Sequence, residues 1–186
     1  MGTVCARSLS RQIGGGYRDM DVCGVDPGLG ATGYAVLSMS GGRATVRDAG
    51  VCRSDAAADL PERLTQIETD FAGVLEQWRP AVVGVEQLYA HYRHPRTAIL
   101  MGHVRGVLLA TAARLGVEVR SFAATQIKRT LTGNGRASKG QVQRAIKATL
   151  GLTSLPEPFD VADALAVAYC CAAESARRAV MEPAAR

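Results

Sequence analysis

A short segment near the start of the chain, residues 22–36, constrains the fold most strongly. It reads V-C-G-V-D-P-G-L-G-A-T-G-Y-A-V, two apolar runs joined by a glycine-rich turn. This pattern is typical of two strands that meet at a tight hairpin. Asp26 ends the first run, and Gly30 and Gly33 should keep bulk away from whatever approaches its carboxylate. Asp26 therefore belongs either to a site for metal or phosphate or to an ordinary β-turn with an exposed aspartate.

Three strands in succession form the first half of the predicted sheet. After residues 22–26, two more extended runs follow at about 32–39 and 44–52, separated by turn signals. Consecutive strands joined by short turns pair antiparallel, so this part of the chain predicts a meander.

A helix and a buried strand follow the meander. Apolar residues recur at three- or four-residue steps from Leu60 to Trp78, which predicts an amphipathic helix. The next run, residues 81–85, is wholly apolar and ends at Glu86. A crossover helix joins parallel strands, so this run should lie beside the first strand. Asp26 and Glu86 would then share one edge of the sheet, as the first half of a metal site.

The second half of the chain adds one strand and four helices. The strand is expected at about 117–122, and the helices at about 97–115, from Thr125, at about 139–150 and from about Asp160. The fold class is therefore α/β, with a five-stranded mixed sheet flanked by helices. In the first of these helices Ala98, Gly102, Gly106 and Ala110 form a small-residue stripe, which suits close packing either inside the domain or across a dimer.

Length and composition favour one domain over residues 20–175. A chain of 186 residues with 47% apolar content can bury one sizeable core. Residues 1–19 show no periodicity and predict a disordered leader, so Met20 could be the true start. Residues 176–186 predict a disordered tail. No apolar run approaches the roughly 20 residues of a membrane helix, and the five cysteines lack zinc-ligand spacing. A soluble, cytoplasmic protein is expected.

Basic residues concentrate in the middle of the chain. The net charge is +5, and Glu118 is the only acidic residue between Glu86 and Glu157. This stretch is a candidate face for a polyanion such as nucleic acid, although basic residues also solvate ordinary helix surfaces. The candidate phosphate contacts within it are Arg96, Lys128, Arg136 and Lys139.

Two further carboxylates, Asp160 and Asp163, stand three residues apart at the start of the last helix and project from one face. Asp160 could be a simple N-cap, whereas Asp163 lies among apolar residues and needs a partner. Four clustered carboxylates require cations, and oxygen ligands select Mg2+ or Mn2+. Two such ions can drive displacement at phosphorus, so the pattern predicts metal-dependent phosphodiester hydrolysis.

Five sequence stretches, taken in order, resemble the RuvC family of Holliday junction resolvases over about residues 22–173. They are G-V-D-P-G, V-E-Q, G-H-V-R-G-V, T-G-N-G-R-A-S-K and D-V-A-D-A-L-A. The resemblance implies an RNase H-like fold and a homodimer that cuts a four-way DNA junction symmetrically during recombination and repair. It also implies two Mg2+ ions, or Mn2+, in each active site and cooperation with RuvA and RuvB.

The resemblance also assigns roles to single residues. It implies that Asp26, Glu86, Asp160 and Asp163 are the acidic active-site and metal-binding residues. Lys128 and Lys139 match lysines that support phosphate binding or catalysis. Tyr89 matches an aromatic residue, usually Phe, that stacks on bases at the opened junction. The loop after Tyr89 departs from the family pattern.

Other function classes compete with this one. An actin-like or sugar-kinase-like phosphotransferase also begins with D-x-G and a hairpin, but it needs a second lobe for which this chain is too short. Another RNase H-like nuclease and a non-catalytic protein that binds four-way junctions are the remaining alternatives.

Overall fold

The computed structural model describes residues 20–88 and 95–181. Every predicted strand and helix is present, close to its predicted bounds. In chain order the elements are β1 (Met20–Asp26), β2 (Ala31–Ser40), β3 (Arg43–Arg53), α1 (Leu60–Trp78), β4 (Val82–Glu86), α2 (Pro95–Arg114), β5 (Glu118–Phe122), α3 (Ala124–Thr132), α4 (Lys139–Leu150) and α5 (Phe159–Met181). The predicted leader, residues 1–19, and Tyr89 lie outside the described residues.

The five strands form one mixed sheet in the order β3-β2-β1-β4-β5. β1, β2 and β3 pair antiparallel, as the predicted meander requires. β4 runs parallel to β1 and β5 runs parallel to β4. The crossover through α1 therefore places β4 beside the first strand, as predicted, and the α/β fold class is confirmed.

The sheet separates two apolar layers. Alternate side chains of a strand point to opposite faces, so Val22 packs into one layer while Cys23 and Val25 pack into the other. The first layer contains the buried residues of α5, α3 and α4, and the second contains those of α1 and α2. The sheet is therefore covered on both faces, and its strand ends remain available for a site.

Glycines let α5 lie directly on the sheet. A Cβ on Gly24 of β1 would overlap the backbone of Ala164 and Ala168 in α5, and a Cβ on Gly33 of β2 would overlap the carbonyl of Asp160. A Cβ on Gly30 would meet no atom within 4 Å. The prediction that Gly30 and Gly33 keep space open for a ligand is therefore wrong for Gly33, because that space is filled by the start of α5.

The last helix continues beyond its predicted end. α5 extends to Met181, so residues 176–181, predicted as part of a disordered tail, are helical. Glu174 pairs with Arg177 at 3.1 Å and with Arg178 at 3.3 Å, at helical spacings that support this extension. Over residues 20–88 and 95–181, no helix is long and apolar enough to cross a membrane.

Capping residues fix the start and end of α4. The Ser138 side chain accepts from the backbone of Gln141, whose side chain in turn accepts from the backbone of Ser138. Gly151 ends the helix in a left-handed conformation, as its sequence position predicts. Because α4 begins directly after Ser138, Lys139 occupies its first turn, on the side of the molecule that carries the strand ends of β1 and β4.

Candidate active site

Four acidic side chains from three elements line one cleft of about 510 Å³. Asp26 is the last residue of β1 and Glu86 the last residue of β4, and Val25 and Val85, which precede them, are partners in the parallel ladder. Asp160 and Asp163 come from the start of α5. The structure thus brings together the four carboxylates that the sequence singled out.

The local backbone explains why α5 delivers its carboxylates here. Asp26 and Gly33 are direct partners in the β1–β2 ladder. Since Gly33 has no side chain, the backbone of Asp160 can approach β2 at the level of Asp26. Asp163 follows one turn later on the same side of the helix. The hairpin and the first turn of α5 therefore form one wall of the cleft.

Two lysines complete the lining of the cleft. Lys128 comes from α3, and Lys139 comes from the first turn of α4. The Lys139 Nζ lies 3.3 Å from Oδ2 of Asp163, so this lysine is the partner that Asp163 requires. Attraction to Asp163 raises the pKa of Lys139 above its ordinary value, although the Lys139 side chain is 74% exposed. It can therefore move to another anion at little cost.

The carboxylates repel one another. Burial raises the pKa of Asp26 from 3.8 to about 7, and the charges of Asp163, Glu86 and Asp160 add to this shift. Burial and the charge of Asp163 also raise the pKa of Glu86, against the opposing effect of Lys128 and Lys139. The two lysines offset only part of the repulsion, so the cleft favours the entry of further positive charge.

The donor set fits a hard divalent cation. The acidic side chains that line the cleft are all carboxylates. Carboxylate oxygens bind Mg2+ or Mn2+ rather than zinc. Across the two described stretches of chain, no three His, Cys, Asp or Glu side chains form a group that could already hold a metal ion. The four carboxylates share the cleft, where Asp163 is paired with Lys139.

A further part of the cleft lining was not predicted from the sequence. Thr97, Leu100 and Met101 of α2 contribute to it, together with Gln87 and Leu88, which follow β4. Leu100 and Met101 lie three and four positions after Thr97, a spacing that indicates one face of a helix. Arg96 and Arg136 are exposed and do not line the cleft.

Most of the chain matches a known protein family. The family described as crossover junction endodeoxyribonuclease RuvC matches residues 22–171. The chain belongs to the RuvC family. The resemblance seen in the sequence is therefore confirmed, and so is the enzyme class, because RuvC proteins are metal-dependent endodeoxyribonucleases. Membership of the RuvC family decides against the actin-like phosphotransferase.

Individual RuvC proteins resemble the chain over most of their length. The RuvC of Rhodopirellula baltica is 49% identical over 149 residues, which cover 80% of this chain and 84% of that protein. The solved RuvC of Thermus thermophilus is 31% identical, with a TM-score of 0.80 over 86% of this chain and 98% of its own. The same RuvC in complex with a Holliday junction substrate gives a TM-score of 0.81 at 32% identity, over 86% of this chain and 97% of that one. The RNase H-like fold is thereby confirmed.

Proposed function

We propose that the chain resolves four-way DNA junctions in recombination and repair, by metal-dependent hydrolysis of phosphodiester bonds. The observation that carries this proposal is the cleft in which Asp26, Glu86, Asp160 and Asp163 face Lys128 and Lys139. Clustered carboxylates beside lysines suit a site that must hold both cations and a phosphate. The Thermus thermophilus RuvC complex with a Holliday junction supports the choice of substrate.

Each group in the cleft has a defined task. The four carboxylates would hold two Mg2+ or Mn2+ ions, which when bound supply an activated water and a stabilised leaving oxygen. Lys128 contacts the DNA phosphate from α3. Lys139 exchanges its bond to Asp163 for the phosphate, since its exposed side chain can reach either anion. The carboxylates and lysines thus orient the scissile bond.

Residues around the cleft extend the DNA surface. Arg96 at the start of α2 and Arg136 before α4 are exposed and contact phosphates farther along the arms of the junction. Tyr89, which follows β4 by a few residues, stacks on a base at the opened junction. These assignments rest on family resemblance and on position.

One face of α2 supports a homodimer. Cβ atoms on Gly102 and Gly106 would meet nothing within 4 Å, and Ala110 is exposed in line with them. Ile99, one turn earlier, is 62% exposed. Within the described part of the chain, Ala98 of the small-residue stripe is partly buried, whereas Gly102, Gly106 and Ala110 form an open small-residue face. This open face favours the dimer alternative over internal packing. A dimer places two clefts on one junction, as paired cleavage requires. RuvA and RuvB are proposed as partners from family membership alone.

Cleavage of a synthetic four-way junction tests this function. The junction and a linear duplex of the same arm sequence are incubated with Mg2+, Mn2+ or EDTA. We expect paired nicks on the junction only when metal is present, and at least about a hundredfold loss of rate in Asp26→Asn, because removing a metal ligand removes its cation.

A control variant shows whether the cleavage rate falls because the carboxylate cleft is damaged or only because one negative charge is lost. Asp70 is exposed on α1, and Asp70→Asn should cleave like the wild type. Tight junction binding without cleavage under any metal would contradict the proposal and favour a non-catalytic binding protein. Equal cleavage of junction and duplex would favour a different RNase H-like nuclease.

A further inference from the structure

Arg105 of α2 joins the end of β4 to its surroundings. Its Nε donates a hydrogen bond to the backbone carbonyl of Glu86 at 3.3 Å, and its Nη2 donates to Oγ of Ser121 at 2.7 Å. One planar guanidinium therefore links a helix to two neighbouring strands of the sheet. Arg105 is partly buried, which limits the alternative positions of this group.

The bond from Arg105 to β4 is made at the last residue of the strand, which is also the residue that carries the Glu86 carboxylate. Glu86 is the last residue of β4, and the next amide, that of Gln87, donates to the carbonyl of Phe122 in β5 at 2.8 Å. The backbone around Glu86 is thus held by β5 on one side and by Arg105 on the other. Because the backbone sets the direction of a side chain, both bonds aim the Glu86 carboxylate.

Arg105 acts on Glu86 through the backbone. The charges that act on the Glu86 carboxyl, whose pKa is raised, are those of Asp163, Lys128 and Lys139. Arg105 instead contacts the main-chain oxygen, and α2 also carries Thr97 and Met101 of the cleft wall. Fixing α2 to the end of β4 therefore bears on both the direction of the Glu86 carboxylate and the position of the α2 residues that line the cleft.

We propose that Arg105 is a positioning residue, whose fork to Glu86 and Ser121 holds the Glu86 carboxylate in place for cation binding. The inference rests on the proposed function, because it assumes that Glu86 is a metal ligand. Lysine cannot replace arginine here, since a single ammonium on a flexible stem does not span two fixed acceptors. Substitution of a group that orients a metal ligand commonly lowers metal affinity by about 10- to 100-fold.

Calorimetric titration with Mn2+, without DNA, tests the proposal on the full chain. Arg105→Gln and Arg105→Lys should each bind Mn2+ about tenfold more weakly than the wild type. Ser121→Ala removes only one of the two hydrogen bonds of Arg105, so it should show a smaller loss of Mn2+ affinity. This variant tests the proposal if the arginine variants fold poorly. Cleavage measured well below the lowest Tm should show the same order, with a higher Mn2+ concentration for half-maximal rate.

Arg120 of β5 provides the matched control. Its Nη1 donates to Oγ of Ser175 at 2.8 Å, so Arg120→Gln also breaks an arginine–serine bond, but far along α5 from the cleft. Arg120→Gln should lower the Tm and keep the Mn2+ affinity of the wild type. Unchanged Mn2+ affinity in Arg105→Gln would overturn the positioning role alone. No Mn2+ binding by the wild type would instead overturn the proposed metal site and, with it, this inference.

Discussion

Folding imposes an electrostatic cost on the ionised carboxylate of Asp26. Its pKa rises from 3.8 to about 7, because the carboxyl is partly buried beside three other acids. A raised pKa in the folded state favours folding while the group is protonated and opposes it once the group is ionised. The free energy of unfolding of the metal-free protein should therefore lose this contribution progressively as pH rises from about 4 to about 7.

Replacing the Asp26 carboxylate by an amide should stabilise the metal-free protein. Asp26→Asn cannot ionise, so we expect its free energy of unfolding in EDTA to exceed that of the wild type by about 1–3 kcal/mol near pH 8, since one pKa unit corresponds to about 1.4 kcal/mol. The gain should shrink near pH 5, where the folded wild type is largely protonated at Asp26. Chemical denaturation at the two pH values measures it.

The exposed Asp70 again supplies the comparison. Asp70→Asn should leave the free energy of unfolding nearly unchanged at both pH values. A gain in Asp26→Asn that is the same near pH 5 and pH 8 would show that the amide improves packing and that no repulsion is relieved.

Single residues also show what the sequence could predict of the site. The sequence predicts that Asp26 and Glu86 lie together, because each ends an apolar strand and a crossover helix makes those strands parallel, as the structure shows. The partner of Asp163 could not be named, because Lys139 lies in a different helix. The hydrogen bond from Arg105 to Glu86 could not be predicted either, because it joins a side chain to a backbone atom and leaves no pattern in the sequence.

Among the secondary-structure elements, α5 depends most on close backbone contact. Periodicity predicted its existence, but a strand glycine can mark a bulge, a turn or a near neighbour, and the sequence does not say which. In the structure Gly24 and Gly33 both face the backbone of α5. The helix thus lies closer to β1 and β2 than any side chain would allow, and its first turn reaches the cleft.

A methyl group on Gly33 should displace that first turn. Gly33→Ala would overlap the carbonyl of Asp160, so we expect a loss of about 2–4 kcal/mol in the free energy of unfolding and a loss of junction cleavage. Chemical denaturation and the cleavage assay measure the two effects. Gly30→Ala is the control, because its Cβ would meet nothing within 4 Å. Equal behaviour of the two variants would contradict the close approach of α5.

At the scale of the whole molecule, a substitution on the exposed face of α2 tests whether the protein forms a dimer through that face. Gly106→Glu adds a charged side chain where the single chain has open space, and glutamate favours helix more than glycine does. We therefore expect the variant to stay folded and to sediment as a monomer at concentrations where the wild type is a dimer. Sedimentation velocity over a concentration series measures this, and paired nicking of the junction should fall with dimer formation.

Gly73 allows the same change to be made elsewhere. It lies exposed on α1 with no atom within 4 Å of its Cβ position. Gly73→Glu should sediment like the wild type. If the wild type sediments as a monomer, the proposed dimer is contradicted. If both variants are monomeric, the effect is not specific to α2, and the small-residue face of α2 is not supported as the dimer interface.

The packing of α5 on β1 also bears on how the protein is made. β1 opens the described fold and α5 closes it, and the cleft needs the carboxylates of both. While the chain is still being translated, Asp26 and Glu86 can be in place before Asp160 and Asp163 have left the ribosome. The acidic cluster is therefore complete only when the last helix docks, so a nascent or truncated chain near DNA would lack the metal site that we propose.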